Sequence, residues 1–492
     1  MSTLAALARS RALRSGTAQR LATVRHLHLS ERPMVVIPLR LAGEAAAPLA
    51  AMAGTDPAHP RLLVVPQPRD RDLRFAFAAE LAEVLLPYIE SLQKATETVE
   101  RRGAEPYERC VDAPQLIVPN RGAAAFVQLL GRSTRFRRAE GPYAVHPSVP
   151  VLGRWLTFLA QRGRYPGSSL LPAATEALSL HWATGQSALE DANLASLVGW
   201  IDPPPGMSGA AAAKEAEDPL IWPPAGPATD PGFDAEVLAP AMRAHEETRG
   251  EHTEARVREA VRSQLEPTWR LMWRAIGLLA ALPPAPGCAG RWEADRAAFT
   301  SFAAQLAEGA PPQPKRDGAV SAASRLARME RARSSYDAQR AYDDPLVMAG
   351  YRLTGEAFTG TVVHAEPDRT EGEGRGRKLR PLVTVRTTDP VRLAPGTRLG
   401  TPERRGQQAD LVAIEGEHVT LKIVKGMGRG MAATPGAVPD AGERVCYAAL
   451  TDEFQPPAAL PPPEETPWTH GGPPPEYEPA ADEPDEPDEE WS

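Results

Sequence analysis

Cysteine is scarce in this 492-residue chain. Cys110, Cys288 and Cys446 are far apart, odd in number and form no CxxC pair, which excludes a disulfide framework and a zinc knuckle. A reducing cytoplasm is the simplest setting for such thiols. Long apolar runs are missing too. No stretch of about 18 apolar residues occurs, so neither a transmembrane helix nor a membrane partner is expected. Motifs of common catalysts are absent: there is no GxxxxGK(S/T) loop and no GxSxG, and Arg249 stands where an HExxH starting at His245 would need its second histidine. The sequence therefore nominates no catalytic residue, no cofactor and no metal ligand. Lysine is nearly lacking, at 6 residues against 49 arginines. That bias resembles a GC-rich genome's, so arginine number alone carries no functional meaning.

A local scarcity is more telling. From Asn120 to Tyr165 there are eight arginines and a single acid, Glu140. From Gln455 to Ser492 there are eleven acids and no lysine or arginine. Those acids exceed the whole net charge of −8, so the rest of the chain is slightly basic. Sorted charge of this kind predicts contact with a polyanion, and an appendage that modulates it.

The 52 prolines and 39 glycines are roughly half again the usual share, which predicts long linkers between folded parts. The expected class is α+β and multidomain. Residues 1–33 carry six arginines and one acid, Glu31. They resemble a mitochondrial transit peptide, or an over-long start before a true Met34, and either reading leaves them disordered and outside the fold. Residues 34–202 alternate short apolar strands (Val35-Val36-Ile37, Leu62 to Val65, Leu116 to Val118) with helical spacing, which predicts a small α/β domain with a helical extension. Residues 203–232, rich in Pro, Gly and Ala, read as a flexible linker. Residues 233–345 read as a helical bundle or stalk. Residues 350–450 contain five β-rich runs in about 90 residues, which predicts a small closed barrel of the OB or SH3 kind. The segment 455–492 is acidic, Pro-rich and disordered by composition.

The candidate nucleic-acid contacts follow from charge and aromatic interleaving. Arg121, Arg132, Arg135, Phe136, Arg137, Arg138, Arg154 and Arg164 lie in the acid-poor segment, where guanidinium forks suit phosphates and rings such as Trp155 and Phe158 suit unpaired bases. The competing reading is an ordinary surface with both rings in the core. Arg377 and Lys378 on a Gly-rich hairpin, and Lys425 and Arg429 around Gly426 to Gly430, are the candidates on the barrel. The loop Pro119-Asn120-Arg121-Gly122 reads as a capped helix start rather than an anion site. Asp343-Asp344-Pro345 reads as a helix end.

The helix from Ala319 to Tyr342 followed by the strands from Gly360 to Ala448 resembles the stalk and barrel accessory region of superfamily 1 helicases. The resemblance covers residues 319–450 and is architectural. It lacks the family's ATPase motifs, so motor activity does not carry over. It implies an accessory acting beside a separately encoded motor ATPase. The expected role is thus a cytoplasmic (mitochondrial, if residues 1–33 are a transit peptide), non-enzymatic accessory on DNA or RNA, whose acidic tail competes for the basic surface or binds a basic protein surface. A protein-interaction scaffold, and an enzyme with a degenerate nuclease or nucleotide-binding domain, are the rivals.

Overall fold

The computed structural model describes residues 3–101, 103–374, 377–428 and 430–451. Residues 3–33, expected to lie outside the fold, are built into it. Helix α1 (Thr3–Ser15) buries Ala8 and Ala12. Gln19–Arg20 pairs antiparallel with Trp182–Ala183, and His26 is buried. A short apolar stripe and one buried imidazole suffice to dock a segment whose composition looks like a leader.

Alternation in the next strand explains the larger half of the molecule. In β1 (Met34–Arg40), Val35, Ile37 and Leu39 face one hydrophobic cluster, while Met34 and Val36 face another. Successive side chains point to opposite faces, so a strand apolar throughout must be covered twice. β1 pairs antiparallel with β2 (Pro48–Gly54), which pairs with β3 (Arg61–Val64). β4 (Leu116–Ile117) runs parallel on the other side of β1. One face is covered by α2 (Arg71–Gln93), α3 (Arg121–Thr134) and α4 (Ser148–Gly163). The other is covered by α5 (Ala174–His181), α6 (Leu194–Ile201) and the long α7 (Glu251–Ala280), through Val257, Val261, Leu265 and Trp269. Helix α8 (Gly287–Ala307) returns to the first face with Trp292 and Phe299. Of the helices expected to form a separate bundle, α7 and α8 therefore cover opposite faces of the sheet instead.

The segment expected as a flexible linker is also packed. Gly209–Glu215 forms a helix capped by Ser208, with Ala212 and Ala213 buried. Downstream, the Gly226 carbonyl accepts from Asn120, and the Pro227 carbonyl accepts from the Arg40 N–H. Backbone hydrogen bonds hold this Pro- and Gly-rich run where side chains have little to bury.

α9 (Ala319–Asp343) breaks at Asp344 into α10 (Pro345–Thr354), as the Asp-Asp-Pro sequence predicts. Six barrel strands follow: β5 (Ala357–Glu366), β6 (Leu382–Arg386), β7 (Arg398–Gly400), β8 (Gln408–Glu415), β9 (His418–Lys425) and β10 (Arg444–Ala448). They close in the order β6-β9-β8-β7-β10-β5 around Phe358, Val383, Val385, Leu411, Val419, Leu421, Ile423 and Tyr447. Five were expected. The sixth, β7, is three residues long and too short to show a period of its own. No helix among the described residues is long and apolar enough to cross a membrane. The acidic segment 455–492 lies outside the described residues.

Candidate nucleic-acid interface

Helix α3 starts where the sequence places it. The Asn120 Oδ1 accepts from the Ala123 N–H at 2.9 Å, and its Nδ2 donates to the Gly226 carbonyl at 2.7 Å. A methyl group at Gly122 would meet the Pro227 ring, so the 226–227 loop covers this helix end and leaves no open anion cradle. Ala123, Phe126, Val127 and Leu130 face the core. α3 and α4 approach closely at two glycines. A methyl on Gly131 would strike the Thr157 backbone nitrogen, and one on Gly153 the Arg135 backbone.

That close crossing turns several candidate arginines inward. Arg135 is only 3% exposed. Its Nε donates to the Gln313 carbonyl at 2.9 Å and its Nη2 to the Pro314 carbonyl at 3.2 Å. Burial, with Arg132 nearby, pulls its pKa down to about 10. Arg154 donates to the Ala310 carbonyl at 2.6 Å. Arg162 meets the buried Asp295 at 2.8 Å, and burial raises that carboxyl despite the ion pair. The physical reason lies in Pro311-Pro312-Gln313-Pro314. Prolines offer no N–H, so this loop joins no backbone ladder, and guanidinium forks satisfy the carbonyls instead. Trp155 packs edge-on against Phe302 at 4.9 Å, and Phe158 stacks on Phe302 at 4.5 Å, so neither ring is free for a base. Phe136 lies between Arg135 and Lys315, at 4.6 and 5.7 Å from its centroid. Arg137 covers Phe75 at 5.2 Å and donates to the Ser133 carbonyl at 3.1 Å. Three of the candidate contacts are thereby corrected: Arg135 and Arg154 brace the loop after α8, and Arg137 lies on a core ring.

The remaining arginines do converge. Positions 121, 125, 128 and 132 fall on one helical face, spanning about 16 Å at 1.5 Å per residue. Arg121 and Arg132 are exposed there, with the small Ala125 between them. Arg164, at the end of α4, joins this face by donating from its Nη2 to the Gln128 side-chain Oε1. Arg121 is shared with the exposed Glu176, at 2.7 Å from its Nε. Arg132 and Arg138 are exposed and have no acidic partner among the described residues. α3 therefore carries a short basic stripe with a flat, small-residue centre.

The barrel candidates form a separate set. Arg377 donates to Thr370 Oγ1 at 2.8 Å, and Lys378 is exposed on the ribbon of Thr370–Glu371 with Lys378–Leu379. Lys425 sits at the end of β9 opposite Gln408. Arg429 lies outside the described residues.

Sequence reasoning missed the densest polar cluster. Asp344 is fully buried and accepts from Thr23 N (2.7 Å), Thr23 Oγ1 (2.9 Å) and Leu346 N (2.9 Å), with His26 Nε2 at 3.3 Å. Burial alone would raise its carboxyl, but these hydrogen bonds outweigh it and hold the group well below the usual carboxylate range. His181 Nε2 accepts from the His26 N–H at 2.9 Å, and burial pushes His181 down to about 4. Asp343, next in line, accepts from Gly287 N and from Arg405 of the barrel, each within 2.8 Å. The cluster ties the N-terminal segment, the α8 start and the barrel to one helix break. Among the described residues no group of three or more His, Cys, Asp or Glu could hold a metal ion.

No known family model, curated protein or solved structure matches this chain.

Proposed function

We propose that this protein is a nucleic-acid-associated accessory that grips phosphate backbone through the outer face of α3. The observation that carries the reading is the convergence of Arg121, Arg132 and Arg164 around Ala125 and Gln128 on one exposed helical face. Guanidiniums spaced along a helix contact successive phosphates, and a small residue between them lets the backbone approach. Nothing in the stripe selects a base, so binding is sequence-tolerant. The long helix leading into a closed barrel is the feature that supports reading it as a helicase accessory, with a separately encoded motor as partner. The acidic tail restrains the contact. The test is electrophoretic or anisotropy binding to a short DNA or RNA at several salt concentrations. Binding should weaken steeply with salt, and replacing Arg121, Arg132 and Arg164 by Ala should lower the slope of log K against log salt by about 2 to 3. A parent chain with no salt-sensitive binding defeats the reading.

A protein-interaction role has its own support. Leu189 is 85% exposed and Leu220 93%, on neighbouring loops rich in acids. Apolar tips so exposed suit a protein partner with a basic-rimmed pocket. Leu189→Ser with Leu220→Ser should abolish capture of such a partner and leave salt-dependent nucleic-acid binding intact.

A further inference from the structure

The outer wall of the barrel carries a row of five exposed residues that the register places side by side: Arg444, Thr361, Arg386, His418 and Glu415, one from each of β10, β5, β6, β9 and β8. Neither Arg386 nor Arg444 has an acidic partner among the described residues. The neighbouring row is His364, Thr384, Thr420 and Ala413. The ladder is irregular at both ends of that row. The shifts lie beside Val363 on β5 and Val412 on β8, which stand 41% and 43% exposed. Bulges re-aim side chains, and here two aliphatic groups frame a threonine floor under a cationic edge. His364 is occupied by Glu366 at 3.3 Å, so the two arginines supply the free charge.

We propose that this wall is the docking site of the chain's own acidic C-terminal segment. Three observations point to that occupant. The described chain ends at Thr451, just past β10, leaving 41 residues with no lysine or arginine. The run Asp482-Glu483-Pro484-Asp485-Glu486-Pro487-Asp488-Glu489-Glu490 repeats acids every third residue. Such a Pro-punctuated run favours polyproline II, in which three residues advance about 9 Å. Arg444 and Arg386 lie two strands apart on the same row, about 10 Å at the usual strand spacing. The acidic period thus matches the arginine spacing, so Asp485 and Asp488 reach both cations from one face of the extended segment. The roughly thirty residues before the repeat span the distance easily, and tethering supplies an effective concentration near millimolar. Docking does not depend on nucleic-acid binding.

The experiment is cleavage of the full-length chain by a glutamate-specific protease, without nucleic acid, following the bonds after Glu489 and Glu490, which unlike Glu486 are not followed by proline, by mass spectrometry. A free peptide of residues 476–492 corrects for salt effects on the protease. In low salt the parent tail should be cut about fivefold more slowly than in 0.5 M NaCl, as two exposed ion pairs warrant. R386E with R444E should remove that protection, and adding Asp485→Lys with Asp488→Lys should restore it. R121E with R132E, on α3, should leave it unchanged. Equal cleavage of the parent and the R386E/R444E chain at low salt overturns the proposal, as it would if the wall served another partner. So does protection lost with the α3 variant instead.

Discussion

Replacing Asp344 by alanine should loosen the N-terminal segment more than any exposed substitution. The side chain is fully buried and receives the Thr23 N–H and hydroxyl, faces His26 Nε2 and caps α10 through the Leu346 N–H. Losing the cap costs about 1 kcal/mol. Leaving the Thr23 N–H and the buried His26 without a partner costs about 1 kcal/mol each. The sum is about 3 kcal/mol, or roughly a hundredfold in the population of a local opening. A chain with two cores need not unfold in one step, so a local probe is preferable to a global midpoint. Trypsin supplies it. Arg25 is held by its Nε on the Leu27 carbonyl and its Nη1 on the Leu279 and Leu282 carbonyls, so cleavage there reports release of the segment. Asp344→Ala should speed cleavage at Arg25 by roughly two orders of magnitude, with Asp344→Asn between it and the parent. A rate within threefold of the parent would mean that Asp344 does not hold the segment, and that α1, the strand pair at Gln19–Arg20 and the Arg25 hydrogen bonds keep it in place.

Acid should release the same junction. The folded pKa of His181 is about 4 against 6.5 unfolded, so the unfolded state binds the extra proton. Stability present above pH 6.5 is then lost as pH falls toward 4, by about 3 kcal/mol for a group this buried. His28, also lowered to about 4 by burial and stacked on Trp292 at 4.0 Å, adds a smaller amount in the same window. The Asp344 carboxyl, held low, gives way only below the ordinary carboxylate range. Denaturant midpoints between pH 7 and 4.5 should fall, and less so in His181→Gln. Arg135→Ala should cost about 2 kcal/mol by stranding the Gln313 and Pro314 carbonyls, whereas Arg132→Ala, four-fifths of a turn away and exposed, should leave the thermal midpoint unchanged and weaken only nucleic-acid binding. Gly153→Ala should cost about 1 to 3 kcal/mol by pushing α4 off the Arg135 backbone, read as a lower melting temperature.

Local signals were legible from the residues in order. The Asn120 cap, the helix break at Asp343-Asp344-Pro345 and five barrel strands all follow from side-chain type and period, because caps, prolines and alternation act within a few residues. The apolar run in β1 was legible as a strand, but that helices cover both its faces, and which ones, was not. Val257 and Trp269 come from more than two hundred residues away, and a period does not name its partner. Residues 3–33 misled for the same reason. Their arginines match a leader's composition, while the contacts that dock them belong to His181 and Asp344.

What the chain determined unaided is its sorting: where charge gathers, where helices stop and where the backbone alternates. Whether a guanidinium meets solvent or a carbonyl was decided by tertiary structure alone. Arg132 and Arg135 are three residues apart and chemically identical, yet one is free and the other buried. The difference arises because α3 crosses α4 at Gly131 and Gly153, close enough to bring a proline-rich loop with unpaired carbonyls over one of them. The alignment of Arg386 with Arg444 likewise exists only once the barrel closes, since strand register joins residues that no linear spacing relates.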